Sequence, residues 1–142
     1  MISKKAKYAL KALKVLAERH GQAESSTVSE IAILENIPRK FLEAILLELR
    51  NNSLLTSHKG KNGGYSLKVD PDKITLARVL RIIDGPIAPT LCVSIYYYDK
   101  CEDCPDEETC PIRPVMLKVR DANLHVYEKT TLLDFIQNKK TD

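Results

Sequence analysis

The sequence has no cysteine before residue 92, only three histidines, and no long run of apolar residues. A membrane-spanning helix needs roughly 20 consecutive apolar residues, so we do not expect a membrane protein. The opening residues, MISKKAKYAL, hold no apolar stretch of the kind that precedes a signal-peptide cleavage site. We therefore expect a soluble, cytoplasmic protein.

The scarcity of histidine also bears on catalysis. His20, His58 and His125 fall in three different predicted elements, and no nucleophile accompanies any of them in a recognisable pattern. The chain contains no internal repeat and no low-complexity tract. An enzyme is therefore not expected.

Positive charge is concentrated in the first half of the chain. The net charge of the 142 residues is only +3, but residues 1–70 carry 12 Lys/Arg and 7 Asp/Glu, against 10 and 12 in residues 71–142. The basic half is the better candidate to bind nucleic-acid phosphates, although a charge of this size also fits an ordinary solvated surface. The order of structural elements in that half is needed to decide.

Three helices are predicted in the basic half. Apolar residues recur at helical spacing from Ala6 to Ala17 and from Val28 to Ala32, and a third helix runs from Pro38 to about Asn52. The Ser/Thr cluster at residues 25–27 supplies a cap for the second helix. A short helix, a tight turn and a longer helix with polar N-terminal residues form a helix-turn-helix arrangement.

A glycine-rich hairpin follows the third helix directly. Two predicted strands, Leu54–His58 and Tyr65–Val69, flank the segment KGKNGG. Its glycines permit close backbone approach to another surface, and its lysines offer charge to phosphates. The pattern indicates a mainly α fold with a small β-hairpin wing, a winged helix-turn-helix domain that binds DNA. The alternative is that this segment is only a solvated turn.

We divide the chain into a winged domain (1–84), a linker and cysteine-bearing loop (85–110), and a dimerisation helix with a C-terminal segment (111–142). The polar tail, 137–142, is expected to fray. The long helix carries two apolar stripes, Ile112, Val115, Met116, Val119, Ala122 and Val126 on one face and Leu117, Leu124 and Tyr127 on the other. Two apolar faces need two packing partners. We expect one face to pack on the winged domain and the other to pack on the same helix of a second copy, in a twofold homodimer.

The cysteines are the second candidate site. Cys92, Cys101, Cys104 and Cys110 fall within 19 residues. In a reducing cytoplasm, such cysteines are more often metal ligands or redox sensors than disulfides. Four thiolates suit an iron–sulfur cluster or tetrahedral zinc. One close pair with two outlying cysteines favours a cluster of two or four irons, while zinc and metal-free thiol chemistry stay open. Acidic flanking residues are expected to raise the pKa of a bare thiol.

The order of these motifs resembles the Rrf2 family of bacterial winged-helix regulators. The likeness covers nearly the whole chain and rests on SKKAKYALKAL, SEIAILENIPRKFLEAILLEL, KGKNGGYSL, ITLARVLRIIDGP and a cysteine loop before a long helix. It implies a homodimer that binds a palindromic operator on double-stranded DNA, with the loop as the sensor of redox, iron or iron–sulfur status.

The resemblance also implies a ligand set. Cluster-binding members carry three loop cysteines, the last two separated by five residues, which matches Cys104 and Cys110, with Cys92 as the first. Cys101 is extra, and Arg113 stands where some members place a ligating histidine. Cys101 is therefore the expected substitute ligand. A structural zinc site, or control by a docked protein partner as in a cluster-free member, remains an alternative.

Candidate DNA contacts come from three segments. The N-terminal residues of a recognition helix face base edges, where Arg39 and Lys40 can pair with guanine and Glu43 can accept from cytosine. The family resemblance also implies a base-reading role for Glu43. Contacts with the DNA backbone or minor groove are expected from residues of the first helix and the wing: Ser3, Lys5, Lys7, Tyr8, Lys59, Lys61 and Tyr65.

The loop is expected to act on the dimer. Cofactor binding would order residues 92–110 against the long helix and so set the spacing of the two recognition helices. Three consecutive tyrosines, Tyr96, Tyr97 and Tyr98, are expected to pack the loop against that helix or, alternatively, to shield the site from solvent.

Overall fold

The computed structural model describes residues 1–22, 25–61 and 63–137. Within these ranges the chain forms six α-helices and one antiparallel hairpin, with 3-10 turns at Pro71–Lys73 and Leu91–Val93. The elements are α1 (Lys4–Glu18), α2 (Val28–Glu35), α3 (Arg39–Asn51), β1 (Leu55–His58), β2 (Gly64–Leu67), α4 (Leu76–Ile83), α5 (Arg113–Lys129) and α6 (Leu132–Gln137). The predicted mainly α fold with a hairpin wing is confirmed. None of the described helices has the length and apolarity needed to span a membrane.

Hydroxyl side chains begin three of the helices. Ser3, Thr27 and Thr75 each accept a hydrogen bond from the backbone N–H three residues ahead, at the starts of α1, α2 and α4. Such a cap stabilises a helix by about 1 kcal/mol. Pro38 occupies the cap position of α3 instead of its first turn, and α3 has no side-chain cap. The first backbone N–H groups of α3 are therefore without a capping side chain.

The core lies where α1 and α3 meet α4, α6 and the hairpin. The predicted stripe of α3 is confirmed, since Leu42, Ile45, Leu46 and Leu49 have no exposed surface. Alanines on the buried face of α1 leave room for its neighbours to approach closely. The charged faces of both helices consequently point outward, as an amphipathic pattern requires.

The wing is fixed at its base by a third extended segment. In the hairpin, Leu55 pairs with Leu67 and His58 with Gly64. Ser26 and Tyr65 then exchange two backbone hydrogen bonds of 2.9 and 2.7 Å. Gly64 has φ +139°, and a Cβ placed on it would lie 2.2 Å from the Ser26 carbonyl oxygen. Only glycine fits at this crossing, which explains the third glycine of the wing segment KGKNGG.

The C-terminal helix returns to the winged domain. Leu132 of α6 is fully buried in the core, and its N–H donates to the Ile74 carbonyl at 3.0 Å. Thr131 and Asp134 cap α6 reciprocally. The three-part division of the chain stays a prediction, but α6 packs with its first part. Of the tail expected to fray, residues 138–142 lie outside the described residues.

Candidate functional site

The start of α3 presents an exposed polar face. Arg39, Lys40 and Glu43 are all exposed. The Arg39 Nε lies 3.3 Å from a Glu43 carboxylate oxygen, and the two side chains are 66% and 51% exposed. An exposed pair one turn apart contributes only about 0.3–0.5 kcal/mol, so either partner can exchange it for a base at little cost.

Apolar side chains extend the same exposed side of α3. Phe41 is 38% and Leu47 is 45% exposed, and Ala44 is exposed beside them. The Tyr8 ring meets Phe41 edge-on with centroids 5.6 Å apart. Apolar side chains can contact thymine methyl groups. The sequence reading missed these residues, although Leu47 lies off the stripe that buries Leu42 and Leu49.

Two of the residues proposed on α1 have partners within the chain. The backbone N–H of Ser3 donates to the Asp84 carboxylate at 3.0 Å, and its hydroxyl also contacts that carboxylate. The Lys5 ammonium lies 2.6 Å from the Glu48 carboxylate. Lys7 is exposed. DNA contacts from all of these residues stay predictions. Within residues 1–22, 25–61 and 63–137, the Lys7 side chain makes no contact that would compete with DNA.

The wing tip is exposed and its base is anchored. Lys59 and Lys61 are exposed on either side of Gly60, which has φ +101°. Tyr65 is half-buried and packs against the core. Arg50 Nη1 donates to the Ser57 hydroxyl at 3.4 Å, which links the end of α3 to β1. The recognition helix and the wing are thus held as one surface.

The cysteine loop begins in a buried turn and continues without helix or strand. Cys92 is buried in the 3-10 turn Leu91–Val93, and its sulfur lies 3.3 Å from the Thr90 hydroxyl. Cys101, Cys104 and Cys110 are half-buried in the irregular segment that ends at α5. All four cysteines are free thiols. The preference for metal or redox chemistry over disulfides stays a prediction.

The pKa values of two of the thiols are raised. Partial burial raises the pKa of Cys101, and a hydrogen-bonding interaction with Cys92 raises it further. Partial burial also raises the pKa of Cys104, followed by the charge of Cys110. The acidic residues Asp103 and Glu107 raise these pKa values less than burial, Cys92 and Cys110 do. The expected direction is confirmed, but desolvation is its main cause, with the acidic flank secondary.

The cysteines influence one another along the loop: Cys92 and Cys104 both act on Cys101, and Cys110 acts on Cys104. Within residues 1–22, 25–61 and 63–137, no three His, Cys, Asp or Glu side chains stand close enough together to hold a metal ion. The donor set still fits a soft metal centre, because four thiols share one segment that no helix or strand keeps apart. Bringing three or more of these donors around one metal centre requires movement of this segment.

The three consecutive tyrosines are largely exposed. Tyr96, Tyr97 and Tyr98 are 70%, 52% and 56% exposed. The Arg81 guanidinium lies 5.0 Å from the Tyr96 ring centroid, and the Tyr98 hydroxyl donates to Glu107. This hydrogen bond is the main reason why the pKa of Tyr98 is raised. Tyr96 and Tyr97 also line a small cavity together with Leu124 of α5. The expectation that the tyrosines pack the loop against the long helix stays a prediction.

The two stripes of α5 differ in burial. Leu124 is buried against the chain's own domain, and Leu117 and Tyr127 are half-buried. The other stripe is open: Val115, Val119 and Val126 are 54%, 39% and 55% exposed. The expectation that one face packs on the winged domain is confirmed. On the second face, Ile112, Val115, Val119 and Val126 are each more than one-third exposed in the described part of the chain, while Met116 is half-buried.

Comparison with known proteins identifies the family. The family model described as Rrf2, Iron-dependent Transcriptional regulator, matches residues 2–138. An rrf2-like HTH-type transcriptional regulator of Rhodobacter capsulatus is 43% identical over 138 residues, covering 96% of this chain and 92% of that protein. CymR of Bacillus subtilis, an HTH-type transcriptional regulator, is 36% identical over 133 residues, with 94% and 87% covered.

Solved structures agree. The structure of B. subtilis CymR, described as its global cysteine regulator, superposes with a TM-score of 0.81 at 32% identity, covering 99% of this chain and 98% of that one. IscR of T. potens superposes with a TM-score of 0.77 over 99% and 88%, and at 22% identity it supports the fold alone. These relatives are named as regulators of transcription, which is not an enzymatic role. The chain belongs to the Rrf2 family of winged-helix transcriptional regulators.

Proposed function

We propose that this regulator acts as a homodimer on a palindromic operator in the cytoplasm, and that an iron–sulfur cluster in the loop 92–110 controls its affinity for DNA. One observation carries the sensory part of the proposal. All four cysteines of the chain lie in one irregular segment, and the last of them stands three residues before α5 begins. A change in this segment is therefore next to the helix proposed as the dimer contact.

The DNA-binding part rests on the surface formed by α3 and the wing. Arg39, Lys40 and Glu43 are exposed at the uncapped start of α3, as residues that read base edges must be. Lys59 and Lys61 stand at the wing tip, where they can neutralise phosphates or follow a minor groove. Lys7 and Tyr8 extend this surface on α1. Ser3 and Lys5 contact Asp84 and Glu48 within the chain, and we assign them to these contacts before any contact with DNA.

The homodimer rests on the open stripe of α5. Val115, Val119 and Val126 recur at helical spacing and are all more than one-third exposed. Each apolar side chain of this size gains roughly 1.5–3 kcal/mol when it is fully buried. The same stripe on a second copy provides an isologous partner, related by a twofold axis. A twofold protein in turn requires a twofold operator, with half-sites about one helical turn apart.

Cluster binding rests on the chemistry of the donors. Cys92, Cys101, Cys104 and Cys110 would hold the group, with Cys101 as the fourth ligand in a chain where Arg113 follows the last cysteine. When bound, an iron–sulfur cluster supplies a one-electron redox change to the loop. The raised pKa values of Cys101 and Cys104 argue against simple thiol sensing, because the thiolate is the reactive form.

The test begins with protein purified without oxygen. Its visible spectrum is recorded, and iron, acid-labile sulfide and zinc are measured on the same sample. The wild type should be brown, with comparable iron and sulfide, and Cys104→Ser should lose both. Thr109→Ser, a hydroxyl exchange beside Cys110, is the matched control and should keep the cluster. About one zinc per chain with no colour would make the loop a structural metal site.

Control of DNA affinity needs a second measurement. A random duplex library is enriched with the cluster-loaded and the metal-free protein, and the dissociation constants for the enriched duplex are compared. A twofold symmetric sequence and different affinities for the two forms support the proposal. Equal affinities with a cluster present would contradict sensing. If only a protein partner changed the affinity, control by that partner would replace the cluster.

A further inference from the structure

Two arginines join the cysteine loop to α5. Arg113 and Arg120 are seven residues apart, so they lie on the same face of the helix, two turns and about 10 Å apart. This is the face that packs on the chain's own domain, together with Leu117 and Leu124. The open apolar stripe lies on another side of the helix. The two arginines can therefore hold the loop without occupying the proposed dimer contact.

Arg120 holds the beginning of the loop. Its Nη1 donates to the backbone carbonyl of Val93 at 2.7 Å, and its side chain is only 18% exposed. Val93 is 1% exposed and follows Cys92 directly. Asp121 also accepts from Arg120 at 2.7 Å and so fixes the guanidinium. A charged, largely buried donor of this kind makes a stronger hydrogen bond than a neutral one.

Arg113 holds the end of the loop. Its Nε lies 3.9 Å from a Glu107 carboxylate oxygen, and the other oxygen of Glu107 accepts from the Tyr98 hydroxyl. The backbone N–H of Cys110 donates to the Glu107 carbonyl at 3.4 Å. Glu107 therefore connects three places in the chain: the segment before Cys101, the last cysteine and the first residue of α5.

The Arg113 contact is incomplete. Among the described residues, the Arg113 Nε is buried and makes no hydrogen bond, since 3.9 Å is too long for one. A buried donor without an acceptor destabilises a fold by about 1–3 kcal/mol in general, and this free energy is recovered when an acceptor approaches. The guanidinium stays charged at any physiological pH. A loop that rearranges can supply the missing acceptor, so this contact is sensitive to the loop's conformation.

Resting on the function proposed above, we propose that Arg113 and Arg120 are positioning residues that clamp the cysteine loop to α5 at two points and transmit its metal state to the dimer. A rearrangement that gathers the four sulfurs displaces the segment between Cys92 and Cys110, which contains Val93 and Glu107. Because both are tied to α5, the displacement reaches the helix. Leu124 and the Arg81–Glu128 ion pair of 3.4 Å hold the far end of α5 on the domain. The N-terminal half of the helix is therefore the part that moves.

The first test uses metal-free protein, because the clamp exists without a ligand. Arg113→Met and Arg120→Met, singly and together, remove charge and donors while keeping the length of the aliphatic stem. Lys118→Met is the matched control, on an exposed face of the same helix. Hydrogen exchange of residues 93–101 and 115–120 should become faster in the arginine variants and not in the control. Unchanged exchange in the double variant would overturn the clamp.

The second test measures transmission. The wild type and variants are loaded with ferrous iron and sulfide, and their dissociation constants for the duplex enriched by the wild type are compared with those of the metal-free forms. Coupled sites usually differ by about 5- to 150-fold. In the double variant the ratio of the metal-free to the metal-loaded dissociation constant should fall toward one, with iron and sulfide content unchanged. Arg120→Lys in place of Arg120→Met keeps a charged donor and should restore most of the wild-type ratio.

The outcomes separate the two proposals. A double variant that keeps the wild-type ratio overturns transmission through the arginines, while the sensor itself stands. A wild type with no ratio overturns the sensor, and transmission fails with it. In that case the exchange measurement still decides whether the arginines hold the loop. The single variants, checked by thermal unfolding, serve if the double variant does not fold.

Discussion

Replacement of Gly64 by alanine should separate the wing from the rest of the domain. The new Cβ would meet the Ser26 carbonyl oxygen at 2.2 Å, in a backbone with φ +139°. Relief of that contact requires a movement of about 1 Å, enough to break both hydrogen bonds between Ser26 and Tyr65. Two such bonds are together worth about 2 kcal/mol, and the strained backbone costs about 1–3 kcal/mol. We expect a loss of about 3–5 kcal/mol in the free energy of unfolding.

Gly60→Ala is the matched control. Gly60 also has positive φ, +101°, and lies in the same hairpin, but a Cβ placed there meets nothing within 4 Å. The Gly60→Ala variant should lose only the free energy of the strained backbone, about 1–2 kcal/mol of unfolding free energy. The difference between the two variants therefore measures the collision with Ser26 and the loss of its hydrogen bonds.

Urea unfolding followed by far-UV circular dichroism measures both variants. A loss of 3–5 kcal/mol should also lower the melting temperature by roughly 6–20 °C in a chain of this size. Gly64→Ala should in addition weaken DNA binding, because the wing lysines are no longer held beside α3. If the two variants differed by less than about 0.5 kcal/mol, the close approach of Gly64 to Ser26 would have no energetic role, and the reasoning would be refuted.

Three further substitutions test the proposed surfaces. Lys61→Ala should weaken binding to all DNA sequences and reduce the slope of log K against log salt by about 1, whereas Lys73→Ala, outside α3 and the wing, should leave the slope unchanged. Glu43→Gln should relax sequence preference at one position of each half-site by about 1–3 kcal/mol, measured by competition among single-base variants of the operator, and a uniform loss would contradict base reading. Val119, in the open stripe of α5, is 39% exposed, and Val119→Asp puts a charge there and should yield a folded monomer in light scattering. His125→Asp, on another exposed side of α5, should stay dimeric. A dimeric Val119→Asp would place the subunit contact elsewhere.

Local patterns were enough to predict the helices and the wing. The α3 stripe of Leu42, Ile45, Leu46 and Leu49 repeats at helical spacing, so the buried side of this helix follows from periodicity. The cap at Thr27, the hairpin around KGKNGG and the two stripes of α5 are likewise set by neighbours in the sequence. Their prediction succeeded because the interactions involved span only a few residues.

Contacts between distant segments could not be predicted in this way. Sequence spacing identified Lys5 as a candidate phosphate ligand, but the packing of α1 on α3 brings it to Glu48. The role of Gly64 in the wing depends on Ser26, 38 positions earlier, and the raised thiol pKa values depend mainly on partial burial. Similarly, the sequence marked Arg113 only as a residue that cannot bind metal, and gave no sign of Arg120.

Secondary structure, the amphipathic faces, the family and the candidate ligands follow from the order of residues, because helical and hairpin periodicities and thiol chemistry are local properties. The partners of those residues follow only from packing. Tertiary structure brought Glu107 between Tyr98 and Arg113, and the Val93 carbonyl to Arg120, because burial of the apolar core decides which distant polar groups meet. The sequence identifies the cysteine loop, and the fold decides how that loop is attached to α5.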